Sequence, residues 1–221
     1  MNRLWAALLI CGMVSAQEIS PDKRLEHATA ALRAFLSSDS NIPKDLTGKA
    51  QCLVVVPRLM KGAFLIGGKY GRGFASCRKV TGGWTSPAAI AIEGGSFGPQ
   101  LGASSTDLIL VVTNQSGMNR LLGDKFTLGG DAAIAAGPVG ADASVSTDVL
   151  MTAEMISYSQ TKGLFAGFSL EGATLRPDAQ ENKKLYGHDV PNRDILQGKV
   201  KTPKGAVGLV TMLNRRARKG K

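Results

Sequence analysis

Residues 51–80 read QCLVVVPRLMKGAFLIGGKYGRGFASCRKV, and this stretch decides the fold class. Its apolar residues come in short runs or alternate, interrupted by Pro57 and by Gly62, Gly67, Gly68, Gly71 and Gly73, and no helical three- and four-residue spacing is kept. Runs of this kind bounded by glycine and proline read as strands. The same texture continues to about Ser116, so strands are expected near 51–56, 63–68, 72–80, 84–93, 97–103 and 107–113. Connections this short imply antiparallel neighbours. Glycines such as Gly71, Gly73, Gly94 and Gly95 would then serve strand bends and bulges.

Working outward, Ser116 to Leu122 fits a brief helix, and further strands are expected near 125–136, 140–147 and 164–175. Residues 149–159 fit neither period. A short helix should run from Pro177 to Tyr186 and stop at Gly187. Before the strand-rich body, Ser20-Pro21-Asp22 opens a helix over 21–37, with Leu25, Ala28, Leu32, Phe35 and Leu36 on one side. So many short antiparallel strands must close on themselves or stack to remove their edges. The expected class is α+β and β-rich: an antiparallel barrel-like or two-layer sheet body with peripheral amphipathic helices.

With 43% hydrophobic and 20% charged residues the chain excludes wholesale disorder and a polytopic membrane protein. Arg3, the apolar run Leu4 to Val14 and the small residues ending at Ala16 read as a signal peptide cleaved before Gln17. The run is short of the roughly twenty residues a spanning helix needs. Export to the periplasm or envelope is therefore expected; Cys11 as a lipoprotein cysteine is the weaker alternative, because Ile10 precedes it. An oxidising compartment permits Cys52 and Cys77 to pair, although Cys52 beside Leu53 to Val56 also reads as a small buried hydrophobe. Two cysteines and only His27 and His188 give no metal spacing, and neither metal nor cofactor is expected.

The net charge of +10 is uneven. Lys199, Lys201, Lys204, Arg215, Arg216, Arg218, Lys219 and Lys221 stand after Gly198 with no acid, so 199–221 reads as a basic tail behind a single domain over 17–198. Within that domain, Lys44, Lys49, Arg58, Lys61, Lys69, Arg72, Arg78 and Lys79 are accompanied by Asp45 alone. Cations in this density attract polyanions, and an exported chain meets anionic lipid rather than nucleic acid. Gly94-Gly95-Ser96-Phe97-Gly98 matches a serine hydrolase elbow, but Pro99 and Gly102 follow where a helix should begin. Gly62 to Lys69 lacks the first glycine and the hydroxyl residue of a phosphate loop.

Several ordered blocks together resemble the SYLF, or Ysc84, domain family over about residues 22–187. They are Ile42-Pro43 with Leu46 and Ala50; Lys61 to Phe64 followed by Gly67 to Gly73; Trp84 to Pro87; Gly94 to Gly102 with Thr106-Asp107; Gly137 to Gly140; Tyr158-Ser159 with Lys162 to Gly167; Glu171-Gly172; and Asn182 with Tyr186-Gly187. The resemblance implies a non-enzymatic lipid-binding module, since eukaryotic relatives bind phosphoinositides with help from an N-terminal amphipathic helix, and some bind actin. Export would keep this chain from actin, so affinity for anionic phospholipid is what carries over. The implied lipid-binding residues are Lys23, Arg24 and Arg33 on the helix and Lys44, Lys49, Arg58, Lys61, Lys69 and Arg72 in the basic segment. Arg215, Arg216, Arg218 and Lys219 of the tail join them on charge alone. An envelope structural protein binding protein or glycan is the alternative, and a hydrolase using Ser96 the remotest one.

Overall fold

The computed structural model describes residues 19–37, 44–64, 66–97, 102–137, 152–161, 164–165 and 170–218. Helices α1 (Pro21–Ser37) and α2 (Lys44–Lys49) precede four long strands, β1 (Cys52–Phe64), β2 (Ile66–Cys77), β3 (Ala88–Phe97) and β4 (Gly102–Val112). Then come α3 (Gln115–Leu121), β5 (Phe126–Thr127), β6 (Ile134–Ala136), β7 (Met155–Thr161), β8 (Leu164–Phe165) and β9 (Thr174–Pro177). Helices α4 (Ala179–Tyr186), α5 (Asn192–Leu196) and α6 (Val207–Arg218) follow, the last entered through a 3-10 turn at Lys204–Ala206. The strands form one curled sheet in the order β5-β9-β3-β2-β1-β4-β7-β6, with β8 on β7. Pairing is antiparallel except between β6 and β7. The α+β class with peripheral helices holds, as an open sheet with β5 and β6 at the ends of the strand order.

The centre of the sheet is buried on both faces, which is why Leu53 to Val56 and Leu108 to Val112 are continuously apolar. Cys52, Val54, Val56, Ile90, Ile92, Leu108 and Leu110 share one core with Leu121 of α3 and Ile195 and Leu196 of α5. The intervening Leu53, Val55, Phe74, Ala89, Ile109 and Val111 share the other with Leu25, Leu32 and Phe35 of α1 and Leu209 and Leu213 of α6. Burying each such side chain stabilises the fold by roughly 1.5–3 kcal/mol.

Several expectations move. The strand expected at 84–93 is β3 over Ala88–Phe97. Those at 125–136 and 164–175 are, among the described residues, the short strands β5 and β6, and β8 and β9, respectively. The first two strands are not separated before residue 63: β1 runs unbroken to Phe64 and β2 begins at Ile66, inside the strand expected at 63–68. Within β1 the register shifts at Pro57-Arg58. Arg58 takes a positive φ of 53° there, and its N–H donates to Asp107 Oδ1 at 2.9 Å. The segment after Gly198 is also more than a tail: Ala206, Leu209 and Leu213 are buried, and Asn214 Oδ1 accepts the Trp84 N–H at 3.0 Å. The body thus extends well past Gly198. The strand expected at 140–147 lies outside the described residues.

Candidate functional site

The structure draws two of the nominated cations inward. Arg24 of α1 and Arg72 of β2 converge on the start of α4, where Asp178 caps the helix by accepting the Glu181 N–H at 3.1 Å. Arg24 Nε donates to Glu181 Oε1 at 3.1 Å; Arg72 Nε donates to Asp178 Oδ2 at 2.5 Å, and its Nη2 lies 3.1 Å from Glu181 Oε2. Burial pushes the Glu181 carboxyl up, while Arg24 and Arg72 pull it down. A buried, mutually compensated cluster of this kind fastens α1 to α4 and the sheet. Its two arginines leave the set of surface cations.

The other nominated residues fall into separate groups. Lys49 ends α2, beside Arg78, which donates to the Gly48 and Ala50 carbonyls at 2.9 Å and lies 4.8 Å above the Trp84 ring. Asn214 reaches the same Trp84, so exposed Arg215 belongs to this end of the molecule. Lys61 and Lys69 belong to the other: β1 carries twelve steps between Cys52 and Phe64, about 40 Å at the usual rise. Exposed Arg58 stands between at the bulge, and Lys23 and Arg33 are exposed on α1. Lys44, Arg216 and Arg218 are helical in backbone, and Lys219 lies outside the described residues.

The inward faces of both amphipathic helices are used by the core, so in this arrangement α1 and α6 offer solvent their polar sides. No helix among the described residues is long and apolar enough to cross a membrane. Cys52 and Cys77, opposite each other on β1 and β2, are joined with an S–S distance of 2.02 Å. Ser96 lies within β3, in register with Gly67, so Gly94 to Phe97 of the hydrolase-like motif form a paired strand. Among the described residues no group of His, Cys, Asp and Glu gathers as a metal site. A cleft of about 320 Å³ is lined by Asn182, Pro191 and Asn192, among others. Its asparagines are spent on the fold: Asn182 accepts the Ala89 N–H at 2.8 Å, and Asn192 donates to the Ala89 carbonyl at 3.0 Å.

The juxtaposition that spacing alone did not reveal is Lys61 directly across from Lys69. Lys69 is 9% exposed and Lys61 half-buried. Burial, then Lys61, lowers the Lys69 pKa, with Glu171 acting in the opposite sense. One row inward, Met60 and Tyr70 also face each other across the hairpin and are 51% and 48% exposed.

Comparison with known proteins gives one family. The family model Ysc84, described as "Las17-binding protein actin regulator", matches residues 93–216, beyond the expected end of the resemblance near 187. An SH3 domain-containing protein of Schizosaccharomyces pombe is 37% identical over 82% of this chain and 43% of its own length. Protein YSC84 of Saccharomyces cerevisiae is 32% identical over 86% of this chain and 42% of its own. The SH3 domain-containing YSC84-like protein 1 of Mus musculus is 33% identical over 80% of this chain and 52% of its own. The chain therefore spans about half the length of these curated relatives.

Proposed function

Because the chain belongs to the Ysc84 (SYLF) family, we propose that it is a non-catalytic module that docks reversibly on anionic membrane surfaces of the cell envelope. The names of its relatives speak of SH3-domain, Las17-binding and actin-regulating proteins, and none of these names is that of an enzyme. Export, read from residues 1–16, moves the partner from cytoplasmic filaments to phospholipid.

One observation carries this reading. Among the described residues, Glu93 pairs with Arg176, Asp189 with Lys183 and Asp194 with Lys199, while Asp22, Glu26, Asp107, Asp124 and Asp131 enter no ion pair. Lys23, Arg33, Lys49, Arg58, Lys61 and Arg215 enter no ion pair among these residues, and all but half-buried Lys61 are exposed. Such a surface attracts anionic lipid by roughly 1 kcal/mol per cation that reaches it, less as salt rises. Flotation of the chain from Gln17 onward is expected to show binding to vesicles containing phosphatidylglycerol, weakening with salt, and little to neutral ones. Equal recovery with both at low salt would remove the reading. Mass spectrometry of the exported protein should find Gln17 at its start.

A further inference from the structure

Resting on that membrane reading, we propose that the outer end of β1, β2, β3 and β4 enters the headgroup layer of an anionic bilayer, with Lys61 and Lys69 holding a lipid phosphate between them. Like charges directly opposite on neighbouring strands destabilise a sheet. Lys61 and Lys69 stand in that relation, with one of them largely buried. Glu171 acts against that repulsion, and an anion seated at both ammonium groups would add to the attraction.

The rows beyond the lysines supply the second observation. The register sets Gly95, Gly68, Gly62 and Ala103 side by side, followed by Ser96, Gly67, Ala63 and Gly102, then Phe97, Ile66 and Phe64. None of these positions is charged. Among the described residues, Gly62 and Gly95 have no atom within 4 Å of where a Cβ would stand, and Gly68 has the Gly94 carbonyl oxygen at 4.0 Å. None of these three has a positive φ. Neither packing nor backbone conformation asks for these glycines, which weaken strands; a surface approached closely by something else does.

Depth fixes the occupant. Three rows at about 3.3 Å extend roughly 10 Å beyond the lysines, comparable to the 5–10 Å at which interfacial segments sit. Tyr70, one row inward, stands at the level where interfacial tyrosines collect. Among the described residues, β9 pairs with β3 over Ile90 to Glu93 and β7 with β4 from Asp107 to Val112. The outer backbone edges would therefore be costly in hydrocarbon, which limits entry to the headgroup layer. A glycan would require several convergent polar groups, and these rows supply Ser96 alone.

The test compares phosphatidylglycerol vesicle binding by the chain from Gln17 onward with three double variants. Lys61→Gln with Lys69→Gln, and Gly62→Glu with Gly95→Glu, should each weaken binding on the order of tenfold. Lys79→Gln with Lys201→Gln, exposed at the opposite end, should change it less than threefold. Melting curves check that each variant folds, and the open space at Gly62 and Gly95 makes the second pair tolerable. In a Tyr70→Trp variant the introduced indole should shift to the blue with anionic vesicles. Equal losses at both ends, or no shift, would overturn this site and leave membrane docking standing; failure of the unmodified chain to prefer anionic vesicles would overturn both. Retention on immobilised polysaccharide that the glutamates abolish, with vesicle binding unchanged, would transfer the surface to a glycan.

Discussion

The glycines in the middle of the sheet and those at its outer end are alike in sequence and opposite in physics. A Cβ on Gly73 would run into the Val55 carbonyl oxygen, and one on Gly71 would stand 2.6 Å from Leu59 Cδ1. These glycines let β2 pass the Pro57-Arg58 bulge of β1, an internal demand of the fold. Gly62, Gly68 and Gly95 meet almost nothing. A motif rich in glycine therefore contains two classes of position, one explained by the core and one pointing outward.

The sharpest break in this comparison is expected where a surface reading has become a core one. Truncation after Gly198 removes Leu209 and Leu213, both buried, together with the Asn214 bond to Trp84. At roughly 1.5–3 kcal/mol per leucine the loss rivals the 5–15 kcal/mol by which a domain is stable. A fall in Tm on the order of 15 °C, or no cooperative melt, is expected, whereas truncation after Arg215 should leave melting nearly unchanged. Similar melts for the two truncations would return α6 to the status of an appendage.

Next in size is the buried ion cluster. Arg72→Met leaves Asp178 without its strongest partner and should cost about 3 kcal/mol, read from urea unfolding. Adding Asp178→Asn should recover part of that loss, because the orphaned charge goes with it. A loss below about 1 kcal/mol would make the cluster a surface pair in energetic terms.

The glycines themselves come third. Gly73→Ala should destabilise by about 2–3 kcal/mol through overpacking against β1, while Gly62→Ala should be neutral or slightly stabilising, because alanine lowers the entropy lost on folding. Equal destabilisation at both positions, measured by thermal melting, would erase the distinction between the two regions.

What could be read in advance follows the range of the interactions. Helix α1 matches its expected span because Leu25, Ala28, Leu32 and Phe35 announce it locally. The break between β1 and β2 escaped because Phe64 and Ile66 on either side are not turn residues, while Gly67-Gly68, three positions on, imitates a turn. Pairing of Arg24 with Glu181 across 157 residues, and of Arg72 with Asp178 across 106, leaves no local trace, so both arginines read as surface cations. Gly205 and Gly208 are poor helix formers, which masks α6 in the sequence although Ala206, Leu209 and Leu213 lie at helical spacing. Lys61 against Lys69 needed the exact hairpin register, and a register built on a misplaced turn does not yield it.

The smallest effect concerns Lys69 alone. Its pKa in the fold lies below the ordinary 10.5, first because burial disfavours the ammonium and second because Lys61 repels it, with Glu171 opposing. A lysine whose folded pKa is lowered binds its proton more weakly folded than unfolded, so its charged form detracts from stability at neutral pH. That deficit shrinks as pH climbs from the folded pKa toward 10.5, where the unfolded chain also loses its proton. Lys69→Met should therefore be as stable as the parent chain or more so at pH 7, by no more than about 0.5 kcal/mol. Its advantage should fade as the melts are repeated toward pH 10. With phosphatidylglycerol vesicles present the order should reverse, because lipid phosphate compensates the ammonium that the methionine lacks. A variant less stable than its parent at pH 7 without lipid would mean that Lys69 serves the fold, and the opposed lysines would lose their claim to a ligand.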